Sequence, residues 1–203
     1  MTELGNRALS EFLEAVSSSD PTPGGGSVAA VVGALAASLG AMAAAIRANK
    51  QTDESVQTLA AAFETHRAAF MRLSRDDEAA FEQVMAAFRL PKSDPGKANR
   101  LEQSLLCAAE VPLDLAGQCR DLLLDLEQMA SLATQHSVSD VGAAAYLAGA
   151  AAHATLLNVD INSQMMNDGS TRSDVSSRRQ ALAKQCAELV ETVTASVRQR
   201  MTA

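Results

Sequence analysis

From Pro21 to Ile46 the chain carries no charged side chain, and within that stretch glycine returns every seventh residue, at Gly26, Gly33 and Gly40. Seven residues are about two turns of an α-helix, so the glycines share one face and leave it nearly bare. Such a face lets a neighbouring helix approach closely. Gly142 and Gly149 repeat the spacing in a second alanine-rich segment, which predicts two thin helices at the centre of a bundle. Alanine is abundant, β-branched and aromatic residues are few, Trp is absent and Tyr146 is the only tyrosine, which favours helix over sheet. The expected class is all-α: six to seven long helices in a single domain over residues 1–203. Val28 to Ile46 is long enough to raise the question of a membrane span, but Ala, Gly and Ser bury little area and insert weakly, so no membrane is expected.

The segment that launches this helix is Pro21-Thr22-Pro23-Gly24-Gly25-Gly26-Ser27. The prolines fix φ and restrict the residue before each, while the glycines permit left-handed backbone and put no Cβ between the main chain and a visitor. Two readings are open: a helix start whose N–H groups hold an anion or carbonyl oxygen, and a tight turn capped by Ser27. Gly24-x-Gly26-x-x-Ala29 fits the letters of the dinucleotide fingerprint, but no strand precedes it, and no Gly-Lys-Ser/Thr follows to make a P-loop.

Net charge of -7, with only four lysines beside thirteen arginines, offers no basic field for nucleic acid. Cys107, Cys119 and Cys186 are odd in number and widely spaced, and His66, His136 and His153 are scattered. That pattern suits neither a disulfide framework nor a zinc site, and fits a reducing cytoplasm. The stretch from Met1 to Arg7 lacks the basic and apolar regions of a signal peptide.

Leu4, Ala8, Phe12 and Val16 predict a first helix ending at Ser17-Ser18-Ser19-Asp20. Asp53 is the expected N-cap of a third helix of about ten turns, closed near Phe88 by Leu90-Pro91-Lys92-Ser93-Asp94-Pro95-Gly96. From Lys97 to Met129 the pattern is helical, with Pro112 expected to kink the helix or divide it. A further helix is expected from about Val141 towards Met166, stopped by Asn167-Asp168-Gly169. A last one should run from about Ser173 to Arg200, with Leu182, Cys186, Leu189, Val193 and Val197 on one face.

Along the third helix an apolar stripe passes through Leu59, Phe63, His66, Phe70, Leu73, Asp77, Phe81, Val84 and Phe88. Of the consecutive acids Asp76, Asp77 and Glu78, Asp77 is the one aimed at a core or cleft. A carboxylate there is either satisfied structurally or raised in pKa and used for proton transfer, and the pattern leaves both open. His66 reads as a satisfied core histidine. Asn158 and Asn162, one turn apart on an otherwise apolar helix, bond neighbouring backbone or line a pocket for a ligand rich in amide edges, such as a pterin. Asp140 suits the first turn of its helix. Lys92, at a rigid corner, is a surface lysine or a point charge for a carboxylate.

Pro21 to Ala30, Asp77-Glu78-Ala79-Ala80-Phe81, Leu90-Pro91-Lys92, Val111-Pro112-Leu113, Ser139-Asp140 and Asn158-Val159-Asp160-Ile161-Asn162 together give the chain its resemblance to the formiminotetrahydrofolate cyclodeaminase and methenyltetrahydrofolate cyclohydrolase family. The likeness runs from about Leu9 to Asp168. It implies a helical domain that forms a homodimer, with a folate site between helices, no metal or redox cofactor, and Asp77 as the catalytic acid of the Asp-x-x-Ala-Phe motif. Pro23, Gly24, Gly25, Gly26, Ser27, Lys92, Asp140, Asn158 and Asn162 are the expected substrate-binding set. Ala133 and Thr134 stand where the family usually has Gly-Asn, a departure expected to bear on the local loop and on substrate choice. The absence of a formiminotransferase domain tilts the expectation towards a free-standing cyclohydrolase, with cyclodeaminase as the alternative and a non-catalytic folate-binding or scaffolding dimer as the reading from another class.

Overall fold

The computed structural model describes residues 8–50 and 53–202, with six helices and no strand among them. A short α1 (Leu9–Val16) precedes α2 (Gly25–Ala48), α3 (Glu54–Arg89), α4 (Lys97–Leu132), α5 (Val138–Gln164) and α6 (Gly169–Thr202). Phe12 anchors α1, whereas Leu4 lies outside the described residues. Asp53 caps α3 by accepting the Ser55 N–H at 2.9 Å, and the helix runs ten turns to Arg89. Pro112 does not divide α4, which continues through it as one helix. Asp168 also departs from expectation. It accepts from the N–H and hydroxyl of Ser170 and from the Thr171 hydroxyl, so it caps the start of α6. These bonds hold its carboxyl down at about 2.

The glycine stripe explains how the centre is packed. A Cβ on Gly33 would stand 2.6 Å from the Phe70 ring, one on Gly40 2.8 Å from the Phe63 ring, and one on Gly26 2.1 Å from an Asp77 oxygen. As the α2 position rises by seven, the α3 position falls by seven, so two heptad stripes meet in one antiparallel joint. Gly142 and Gly149 of α5 receive Val197 and Val190 of α6 in the same manner. These glycines are required by close approach. None of the described glycines has positive φ, so the left-handed freedom that glycine permits goes unused in the Gly24-Gly25-Gly26 turn.

By length and mean hydropathy of 2.1, α2 could cross a membrane, yet half of its most apolar window is buried inside the bundle, where it packs on α3 and α5. The basic pair near the start of α6 ties three helices together. Arg178 grips Glu110 of α4 through both guanidinium nitrogens at 2.6 and 2.7 Å, and Arg179 donates to Asp160 of α5 at 2.8 Å.

Candidate active site

The start of α2 lacks a cap of its own. Its N-cap is Gly24, which has no side chain to offer, and the first hydrogen bond inside the helix runs from Val28 N–H to the Gly24 carbonyl. The N–H groups of Gly25, Gly26 and Ser27 are therefore the orphan donors of the helix. Asp77, brought from α3 by the glycine joint, takes the vacant role. Its Oδ2 accepts the Ser27 hydroxyl at 3.2 Å, and the Ser27 backbone N–H also favours the carboxylate. The Ser27 hydroxyl lies 3.5 Å from the Ser74 carbonyl as well, but its one proton serves the nearer carboxylate. Ser27 thus does not cap its own helix, as one of the two sequence readings had it. It holds the acid that does.

Two influences oppose each other at Asp77. The Ser27 hydroxyl and N–H favour the ionised form, whereas burial disfavours it, and burial is the larger effect. The carboxyl is raised above the ordinary aspartate value. One side of Asp77 opens on a cavity of about 300 Å³, the lower end of the range for small-molecule sites. Gly24, Gly25 and Gly26 form its backbone edge, with Pro21 and Thr22 beside them. Phe81, Val84, Met85 and Phe88 continue the α3 stripe as an apolar wall, and Asn158, Ile161, Asn162 and Met165 of α5 stand opposite. The lining combines apolar side chains with the Asp77 carboxylate and the two asparagine amides.

Asn162 is fixed in an unexpected way. Its Nδ2 donates to the Ala108 carbonyl of α4 at 2.8 Å, and Ala108 also lines the cavity. The Asn158 side chain, one turn earlier, lines the cavity and makes no hydrogen bond to another described residue. His66 is the satisfied core histidine that its position predicted: Nε2 meets Asp125 Oδ2 at 2.8 Å and Nδ1 meets the Gln118 amide.

The other expected binding residues do not line this cavity. Pro23 is buried behind the turn, following a cis peptide bond from Thr22. Lys92 is exposed in the α3–α4 loop, and the lysine that works at this corner is Lys97, whose Nζ donates to the Phe88 carbonyl at 2.8 Å. Asp140 sits in the first turn of α5, about 27 Å along the helix from Asn158 at 1.5 Å per residue. Ala133 and Thr134 belong to that remote end too, where Arg200 donates to the Ala133 carbonyl at 2.7 Å and a shallow recess also contains Arg47 and Lys50. The departure from the family pattern therefore lies at the far end of the bundle from Asp77. Met85, Ile161 and Met165 were missed, although each shares a helix face with a residue that was found. A wider groove of about 540 Å³ over Gly117 is lined by Arg72, Asp114, Gln118 and Arg178, but it is more open to solvent than the cavity at Asp77.

The fold that brings Asp77 to the start of α2 has relatives among known proteins. The family model described as formiminotransferase-cyclodeaminase covers residues 8–181. The chain belongs to this family. Methenyltetrahydrofolate cyclohydrolase of Methylorubrum extorquens is 31% identical over 172 residues, covering 81% of this chain and 83% of that protein. The formimidoyltransferase-cyclodeaminase of Rattus norvegicus is 30% identical over 192 residues, but this chain spans only 36% of it. Among solved structures, formiminotetrahydrofolate cyclodeaminase from Thermotoga maritima superposes with a TM-score of 0.88 at 31% identity, covering 97% of this chain and 98% of that one. A relative of this length thus carries the cyclodeaminase name, so chain length does not separate the two activities.

Proposed function

We infer that this protein is a folate one-carbon enzyme, a 5,10-methenyltetrahydrofolate cyclohydrolase. The observation that carries the reading is Asp77: a carboxylate with raised pKa, held by Ser27 at an otherwise uncapped helix start and open to a largely apolar cavity that also holds two asparagines. In the hydrolytic direction, water adds to the methenyl carbon as Asp77 takes one of its protons. The bond from that carbon to N5 then breaks, its electron pair goes to N5, and Asp77 returns a proton to N5. The products are the 10-formyl compound and one proton released to solvent. A base whose pKa is moved towards the working pH suits such a relay, and proton transfer is all the chemistry requires, so we assign no metal or redox cofactor.

The second reading, favoured by the close structural likeness to the Thermotoga maritima cyclodeaminase, uses the same group. N10 attacks the formimino carbon as its proton passes to the formimino nitrogen; Asp77 gives that nitrogen a further proton as its bond to carbon breaks, and ammonia leaves with the methenyl cation formed. One experiment separates them: loss of methenylfolate absorbance followed beside ammonia release from formiminotetrahydrofolate. Turnover of neither substrate by the folded protein sinks both readings and leaves a folate-binding scaffold.

The proposal extends to a homodimer. Opposite its glycine stripe, α2 presents a second heptad line, Val28, Leu35 and Met42, with Leu35 54% and Met42 40% exposed and no charge beside them. Covering that face with a second copy would bury it. Leu35→Glu combined with Met42→Glu is expected to give a folded monomer in sedimentation; a dimer persisting in that variant would place the contact elsewhere. The three cysteines are free thiols, which supports a reducing, cytoplasmic setting. Net charge of -7 supports no nucleic-acid partner.

A further inference from the structure

A proline inside a helix does two things to the residue four positions before it: its ring crowds that carbonyl, and it brings no N–H to satisfy it. Pro112 is buried in the middle of α4, so the carbonyl of Ala108 receives no hydrogen bond from position 112. Ala108 lines the cavity together with Asn162, and Asn162 Nδ2 donates to its carbonyl at 2.8 Å. An amide committed through its nitrogen has its orientation fixed, and the oxygen becomes the group left for a ligand.

We propose that Pro112 is a positioning residue for the folate site: by withholding an N–H from the Ala108 carbonyl it locks the Asn162 amide so that Oδ1 is presented to the ligand. Pro112 itself does not line the cavity. With Asp77 ionised, the polar end of the site then offers acceptors from two helices, suited to a ring edge that donates N–H groups. An alanine or valine at position 112 would return an N–H to the Ala108 carbonyl, leaving Asn162 free to turn and to present either end. The inference takes its ligand class from the proposed folate function, but the link between Pro112 and Asn162 stands apart from it.

The test uses Pro112→Ala and Pro112→Val, the latter retaining most of the proline's bulk where the alanine variant loses too much packing. In the ligand-free wild-type protein, one Asn162 side-chain amide proton should exchange slowly by NMR, and both variants should speed it. Tetrahydrofolate should bind the variants about tenfold more weakly, equal to about 1.4 kcal/mol, while the valine variant, which keeps the bulk, melts no lower than wild type because helix backbone is restored. Asn162→Ala should weaken binding by itself, and Pro112→Ala added to it should cost no further affinity, since without the amide the proline has nothing left to orient. Unchanged amide exchange, free amide with unchanged affinity, or losses that add across the two sites would each overturn the assignment. If the wild-type protein binds no folate, the functional reading falls, and the exchange measurement still decides whether Pro112 orients Asn162.

Discussion

Changing Gly26, Gly33 and Gly40 to alanine one at a time makes the same chemical change at three points of one helix face, and the structure assigns them different consequences. Alanine in place of glycine gains about 0.5–1 kcal/mol of helix stability where space allows. At Gly33 and Gly40 there is none: the new Cβ would stand 2.6 Å from Phe70 and 2.8 Å from Phe63, against ordinary contacts of 3.4 Å or more. Both rings are fully buried. They cannot swing out, so the helices must part, and overpacking of this kind costs about 1–3 kcal/mol. The balance is a loss of about 1–2 kcal/mol; at about 2–4 °C per kcal/mol for a domain of this size, Tm should fall by about 2–8 °C.

At Gly26 the obstruction is the Asp77 carboxylate, 2.1 Å from the new Cβ. This group borders the cavity and can rotate into it, so Tm should change little. To restore contact distance, however, the carboxylate must move by about 1 Å and abandon Ser27. A displacement of that size at a reacting group costs on the order of 100-fold in rate. Methenylfolate turnover and thermal melts of the three variants test the contrast. Gly26→Ala should be folded and nearly inactive, and the other two less stable but active once folded. Full turnover by Gly26→Ala, or a hundredfold loss in Gly33→Ala at unchanged Tm, would refute the claim that the glycine register sets the catalytic group.

Asp77→Asn keeps the shape of the side chain and removes the base, so turnover should fall by about 10²–10⁴-fold. Because burial raises the Asp77 pKa in the folded state, ionising it costs stability above the unfolded value; the asparagine variant should melt at least as high as wild type at neutral pH, with the difference fading as pH falls to about 4. Ser27→Ala removes a bond that favours ionised Asp77, so the acidic limb of the pH–rate profile should move to higher pH; an unmoved limb would separate Ser27 from the titration. Asp168, held at about 2 by its cap bonds, contributes stability that is present above the unfolded aspartate value and lost as pH falls towards 2, so Asp168→Ala should melt lower than wild type at pH 7 and match it at the acid end.

The two stripes that make the site were both legible, Gly26-Gly33-Gly40 from its bareness and Phe63-Phe70-Asp77 from its apolar period. Their meeting was not, because a stripe declares which face is covered but not which helix covers it. Pro112 was expected to kink or divide its helix, yet α4 packs against α3, α5 and α6 along its length, and Asn162 answers the carbonyl that the proline leaves open. Isolated-helix propensity, about 3 kcal/mol against an interior proline, is outweighed by that packing. Asp140 lies apart from the cavity for a geometric reason: it shares a helix with Asn158, and the length of α5 puts it at the other end of the bundle.

The joint between α2 and α3 also binds fold and chemistry to a single contact. Most helix starts satisfy their free N–H groups with a side chain one to three residues away, but α2 begins with Gly24, Gly25 and Gly26 and has no acid in its first turn. Any local cap would compete with Asp77 for the Ser27 N–H and hydroxyl, and a side chain at position 26 would occupy the space of the carboxylate itself. Helix termini alone favour the anion; burial among Phe81, Val84 and the α5 side chains works against it. The acid can be both held in place and raised in pKa only while these two effects act on the same atoms. Restoring an inactive Gly26→Ala protein should therefore require a change that reopens space for the Asp77 carboxylate against α2, and no improvement in bundle stability elsewhere should bring activity back.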